Sequence, residues 1–247
     1  MGEPEQPSTA RMIDFWLGGR HHFPVDVAAA GAFEGAYGPC RPVFRSLRSF
    51  LGRAVRSMAA QGLDGFLVFG GGVPTCGNVH EVAGGASVLY TDVDAVTVRS
   101  GQEILAGCDR AGYGFGDAAD VGTVDPALLH RFVAGWGRRP VGVVFLGVAA
   151  FLDDEAVAAT LDELYAVSAP GSRLAVDFDG TDLAGYPQAL AMMGPAYRMR
   201  KPAGMRSLLG RWEPTVEGIV PVARWRPQGP VEAVADAFYG GVAVRGG

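Results

Sequence analysis

The chain reads as an α/β protein with a doubly wound, mostly parallel, Rossmann-like sheet behind an N-terminal helical cap. Three observations predict this. From residue 66 onward, short apolar runs of strand length alternate with longer runs of helical period, the pattern of βαβ units whose strands are buried on both faces. The first run, Phe66-Leu67-Val68-Phe69, breaks at Gly70-Gly71-Gly72, and a helix restarts near Asn78. The second run, Ser87 to Thr91, ends in Asp92, about 20 residues past the first glycine.

Glycine at a strand-to-helix turn tolerates positive φ and lets the backbone approach a ligand, and the next helix offers unpaired N–H groups. In a chain with 37 glycines, a triple glycine also reads as a flexible turn. The weight therefore lies on Gly70, Gly72 and Asp92 together, because an acid at the end of the second strand is where a ribose hydroxyl pair is gripped. This is the pattern of a nucleotide-type cofactor turn.

The elements before that turn are helical. Ser8 or Thr9 is positioned to cap a first helix carrying Met12, Ile13, Phe15, Trp16 and Leu17, which stops at Gly18-Gly19. A second runs over Val25 to Tyr37 after Pro24. A longer third follows Pro42, with Phe44, Leu47, Leu51, Val55 and Met58 on one face and Arg45, Arg48, Arg53 and Arg56 expected on a solvated one.

Beyond Asp92 the spacing predicts a helix over Val96 to Arg110, a short strand over Tyr113 to Gly116 ending in Asp117, and a helix over Pro126 to Trp136. A strand over Val141 to Leu146, an amphipathic helix over Asp153 to Ser168 and a fifth strand over Arg173 to Phe178 follow. Met199-Arg200 and Ile219 to Trp225 are expected as closing edge strands around a helix from Met205 to Leu209. The chain divides as one domain: a cap or lid over 1–41, a cofactor-binding core over 42–180 and a substrate-side segment over 181–247.

Composition narrows the function. A length of 247 residues at 49% hydrophobic supports one large core. A net charge of -5 without a Lys/Arg run argues against nucleic acid or an anionic membrane as partner. Lys201 is the single lysine, next to Pro202, which disfavours a Schiff-base enzyme. Cys40, Cys76 and Cys108 have spacings that fit neither a disulfide framework nor a metal site, so three reduced thiols are expected, with Cys76 as a small buried filler. Met1 to Pro7 lacks a leader pattern, and no apolar run reaches the roughly 18 to 20 residues of a membrane span, so a cytoplasmic protein is expected.

Four stretches, ARMIDFWLGGRHHF, GGGVPTCGNVHEVA, LYTDVDAVTV and GIVPVARWRP, together with the tail FYGGVAV, resemble an actinobacterial family of S-adenosylmethionine-dependent methyltransferase-like proteins once grouped as a domain of unknown function. The likeness covers nearly the whole chain, and GNVHEV and VPVARWRP are specific to that family. It implies a seven-stranded class I methyltransferase fold with S-adenosylmethionine as cofactor. By this resemblance Gly70 and Gly72 lie along the methionine and ribose portions, Asp92 holds the ribose hydroxyls and Asp117 accepts from the adenine amino group. Pro74, Thr75, Asn78 and His80 match the family motif and are carried as cofactor-binding candidates, His80 being equally a structural hydrogen-bonding residue at the helix start. Asp94 reads as a helix cap.

The departures from the family pattern matter as much. Val68 stands two residues before the first glycine, where the family has an acid that commonly organises the methionine amino group. Ala150 and the stretch Val176-Asp177-Phe178-Asp179 stand where histidines are expected, Ile13 replaces a tyrosine, and His21-His22 replace a more acidic or amide pair. Asp177 and Asp179, two apart on a strand, share a face near its carboxyl end and are the catalytic candidates. They either cap the following loop or bind an ammonium or take a proton.

The leading reading is an S-adenosylmethionine-dependent transferase methylating a small molecule in specialised metabolism. The alternative is a methyltransferase-like cyclase that uses S-adenosylmethionine itself as substrate, releasing methylthioadenosine and a small-ring amino acid. A catalytically silent cofactor-binding protein is a third reading. A dinucleotide oxidoreductase is disfavoured, because Val73-Pro74-Thr75 lacks the third glycine of that fingerprint. The segment Arg11 to Phe23 is expected either to close over the cofactor as a lid or to pack as a plain helix.

Overall fold

The computed structural model describes residues 4–229 and 236–247. Three helices come first: α1 (Thr9–Leu17), α2 (Pro24–Tyr37) and α3 (Cys40–Ala59). The alternating region follows as β1 (Gly65–Phe69), α4 (Val79–Val82), β2 (Ser87–Asp92), α5 (Ala95–Ile104), β3 (Ala111–Phe115), α6 (Pro126–Phe132), β4 (Gly142–Phe145), α7 (Asp154–Val167) and β5 (Arg173–Asp179). The chain closes with α8 (Pro187–Met193), α9 (Pro202–Leu208), β6 (Glu213–Pro214), β7 (Val220–Pro221) and β8 (Phe238–Val244).

The strands form one sheet in the order β3-β2-β1-β4-β5-β8-β6, with β7 also paired to β8. β1 to β5 are mutually parallel, and β8 runs antiparallel to β5. The sheet is thus doubly wound, with eight strands where seven are expected, the extra count coming from the two-residue pieces β6 and β7.

Every residue of β1 is buried, as a continuous apolar run demands. Phe66 and Val68 face a core shared with Phe50, Met58, Tyr90 and Trp225, while Leu67 and Phe69 face one built from Phe132, Phe145, Phe178 and Trp212. A smaller cluster around Trp16, Ala30 and Cys40 holds the three N-terminal helices together, with Trp16 stacked on Phe44 at 4.7 Å between ring centroids. Trp16, 2% exposed, ties α1 to α3 and contributes about 1.5–3 kcal/mol by burial.

The closing strands differ from expectation. The place beside β5 belongs to β8, the FYGGVAV tail; Arg200 makes only an isolated bridge to Gly180, and 219–225 shortens to β7 and a single 3-10 turn, Val222–Arg224. Pro221 has no N–H to give a ladder. Gly240 and Gly241 let β8 in: a Cβ on Gly240 would lie 2.8 Å from the Phe50 ring, and one on Gly241 2.4 Å from the Gly218 carbonyl oxygen.

Two arginines of α3 are a second correction, while Arg45 and Arg56 are exposed as expected. Arg53 is buried, donating to the carbonyl oxygens of Trp225 at 2.7 Å and Val222 at 2.6 Å. The VPVARWRP stretch therefore ends in carbonyls that satisfy a helix arginine, a structural role. Arg48 lies against the glycine turn.

Candidate active site

Parallel strands leave a crevice at their carboxyl ends where the strand order reverses, here between β1 and β4. The chain leaves β1 through Gly70 at φ 59° and Gly72 at φ 58°, the left-handed region that favours glycine. Gly71 is confined by packing instead, since a Cβ there would lie 2.9 Å from the Tyr113 hydroxyl. Asn78 then caps α4, accepting from Val79 N at 2.9 Å while its amide donates to Val73 O at 3.3 Å.

Asp92 sits at the end of β2. Its carboxylate accepts from Gly72 N at 3.3 Å and Asp94 N at 3.0 Å, and burial pushes its pKa up despite those bonds. Asp94 caps α5 through Val96 N and Thr97 N, as expected. Val93 beside Asp92 and Phe115, its register partner on β3, stay 57% and 52% exposed, an apolar ledge next to the acid. Asp117, just beyond β3, is half-buried and accepts from Ala119 N at 2.8 Å.

Inward of the glycines lies a cavity of about 140 Å³, roofed by Ala10, Ile13, Asp14 and Leu17 of α1 and reaching Val68, Gly147 and Asp177. Its ionisable groups are Asp14, Arg48 and Asp177. Asp177 is 7% exposed and accepts from Gly147 N at 2.7 Å; burial, aided by the nearby Asp179, pushes its pKa up to about 7. Asp179 rises to about 6 through burial, offset in part by a hydrogen bond from the Tyr197 hydroxyl and by the charge of Arg200. Arg48 donates to Thr75 O at 3.3 Å and has no ion-pair partner among the described residues, and burial lowers its pKa.

The amino-acid sequence matches, over residues 3–246, a family described as S-adenosyl methyltransferase. The chain belongs to this family. It is therefore an S-adenosylmethionine-dependent transferase. The chain is similar, at 25% identity and TM-score 0.87, to a provisionally assigned methyltransferase from Thermobifida fusca YX, over 98% of this chain and 96% of that one. It is similar at 27% identity and TM-score 0.80 to a DUF574 family protein from Streptomyces avermitilis MA-4680, over 98% of both chains. Magnesium protoporphyrin IX methyltransferase from Synechocystis PCC 6803 with bound S-adenosylmethionine, 15% identical over 96% of this chain and 92% of that one, shares the fold at TM-score 0.58. Among curated proteins none matches the chain.

In this methyltransferase the candidate residues divide. Gly70, Gly72, Thr75, Asn78 and Asp177 line the cavity; Asp92 and Asp117, at the end of β2 and just beyond β3, do not; Pro74 is buried within the turn. His80 is turned onto Tyr90, its Nδ1 2.8 Å from the Tyr90 hydroxyl, which also accepts from His80 N at 2.9 Å; it does not line the cavity. Asp179 faces Tyr197 rather than the cavity. The three cysteines are free, but Cys76 is half-buried at φ 57°, not a core filler.

Two residues escaped the sequence reading. Asp14, 2% exposed, accepts from His21 N, His22 Nδ1 and Thr75 Oγ1. An acid beside Ile13, Trp16 and Leu17 on an apolar helix was the signal. Arg48 lies four residues after Phe44 and three before Leu51, so helical period alone puts it on their face. No helix among the described residues is long and apolar enough to cross a membrane.

Proposed function

We propose that this methyltransferase acts on a small molecule, with the methionine end of S-adenosylmethionine in the cavity under α1 and the adenosine on the ledge outside it. The observation that carries this reading is the pairing of charges in that cavity. Arg48 and Asp177 offer one anion acceptor and one cation acceptor, the polarity of an α-amino acid, and both line a space shared with Val68. Arg48 is half-buried and forms no ion pair among the described residues, so a ligand carboxylate would supply the direct partner it lacks. Asp177 answers for the acid missing at Val68, because both side chains reach the same cavity.

On this reading Gly70 and Gly72 let the backbone run along the ligand, Asp92 accepts from the ribose hydroxyls, Val93 and Phe115 cover an adenine face, and Asp117 accepts from its amino group. The bound cofactor supplies an electrophilic methyl group on a sulfonium. The chain then has to orient the acceptor and exclude water. Asp14 and the residues of α1 roof the cavity and keep solvent from it, which supports the lid reading of the first segment. The assignment to specialised metabolism rests on the family resemblance.

The cyclising alternative uses the same Asp177, as acceptor of an ammonium proton instead of a fixed counter-ion. Purified protein incubated with S-adenosylmethionine alone, with products read by mass spectrometry, separates the two. Methyl transfer predicts no methylthioadenosine, and adenosylhomocysteine only when an acceptor is added. Steady release of methylthioadenosine would overturn it in favour of cyclisation.

A further inference from the structure

A second cavity, of about 70 Å³, lies between α2, α3 and α8. It shares Phe44 with the first, so one ring forms part of both walls. Its lining includes no lysine, arginine, histidine or carboxylate. The lining residues that carry a polar side-chain atom are Tyr37, Tyr186, Tyr197 and Cys40. Burial pushes the Cys40 thiol up to about 12, so it is a neutral wall group and not a nucleophile.

Tyr197 connects the wall of this cavity to β5, which carries a wall residue of the cofactor cavity. Its hydroxyl donates to Asp179, which is two residues from Asp177 on the same face of β5, and Asp177 lines the first cavity. The Tyr37 and Tyr186 rings close another side, with centroids 4.6 Å apart.

We infer that the second cavity is the acceptor pocket, and that it takes an uncharged aromatic molecule whose hydroxyl meets Tyr197. This rests on the reading of the first cavity as the cofactor site. The aromatic and aliphatic lining favours an apolar ring. A carboxylate or phosphate on the ring would find no cation, and an ammonium would compete with Tyr197 for Asp179. A phenol needs only one hydrogen bond, which the Tyr197–Asp179 pair provides. Transfer then forms an O–CH3 bond as the C–S bond breaks, the electron pair stays on sulfur, and the phenolic proton passes through Tyr197 to Asp179.

Ligand-observed NMR on protein saturated with adenosylhomocysteine tests this, using 4-methylphenol, toluene, 4-hydroxybenzoate and benzylamine as probes. Calorimetry of adenosylhomocysteine comes first; its failure to bind would sink the cofactor site and leave the acceptor question to a different parent reading. With adenosylhomocysteine bound, 4-methylphenol is expected to bind at least tenfold more tightly than 4-hydroxybenzoate or benzylamine. Ala189→Phe should abolish phenol binding with cofactor affinity unchanged, and Leu190→Trp, at the half-buried edge, serves if Ala189→Phe does not fold. Tyr197→Phe should weaken 4-methylphenol about tenfold and leave toluene unaffected. No binding of 4-methylphenol to the loaded protein, equal binding of the charged probes, or indifference to the filling variants would overturn the inference.

Discussion

Thr75, in the glycine turn, donates its hydroxyl to Asp14 of α1 at 2.9 Å, across 61 residues of chain. The same carboxylate takes His21 N at 2.7 Å and His22 Nδ1 at 3.1 Å, so one buried acid ties the roof of the cavity to its floor. Gly19 is needed for this, because a Cβ there would fall 1.9 Å from the Asp14 carboxylate. Thr75→Val leaves Asp14 buried with a donor missing, and is expected to cost about 1.5–3 kcal/mol of stability, the scale of a hydrogen bond to a charged group. Urea unfolding measures it; a loss within error would mean that α1 is held by its apolar contacts alone.

Arg48→Met keeps the bulk of the side chain and removes its charge. Affinity for S-adenosylmethionine and adenosylhomocysteine should fall about 10- to 100-fold, in line with a charge-assisted hydrogen bond. Methylthioadenosine, which lacks the amino-acid end, should bind the variant as it binds the wild type. An equal fall for all three ligands would make Arg48 a support for the Thr75 turn and not a ligand group.

Asp92→Ala has the opposite signature. All three ligands carry the ribose, so each should lose about 1.5–3 kcal/mol in calorimetry. Unchanged affinity in a folded variant removes Asp92 from the site.

The buried carboxylate pair gives a pH dependence with a definite sign. The folded-state pKa of Asp177, about 7, lies above its ordinary 3.8, so between these limits the folded chain binds more protons than the unfolded one. Stability from this group is therefore lost as pH rises from about 4 to 7. Asp179, raised to about 6, works in the same direction, and His80, whose pKa burial lowers, works the other way, so the difference between wild type and Asp177→Asn reports Asp177 together with its coupling to Asp179. The Asn variant should gain stability over wild type as pH rises through this window, by urea unfolding at each pH. A constant difference would mean that Asp177 does not titrate there.

The sheet was legible because its strands are buried on both faces, which forces uninterrupted apolar runs such as Phe66 to Phe69. Helix ends were less so. The helix expected to reach Arg110 stops at Ile104, and the one expected to reach Trp136 stops at Phe132, with Gly107 and Gly135 at positive φ beyond them. β8 was hidden because nothing local distinguishes a strand that pairs with β5 some 60 residues away, and because the apolar run from Ile219 to Trp225 competes for the same place. The positions of Asp92 at the end of β2 and Asp94 as the cap of α5 were legible from their place after a strand and before a helix. Arg48 and Asp14 were not, since a charge on an amphipathic helix is ordinarily counted with the solvent, and only the cavity between α1 and β1 turns those two inward.

The central claim is the position of the cofactor, and a crystal structure with bound adenosylhomocysteine tests it most directly. The account predicts its carboxylate on Arg48, its ammonium on Asp177, its ribose hydroxyls on Asp92 and its adenine against Val93. An amino-acid end pointing away from the cavity under α1, with Arg48 and Asp177 untouched, would contradict it.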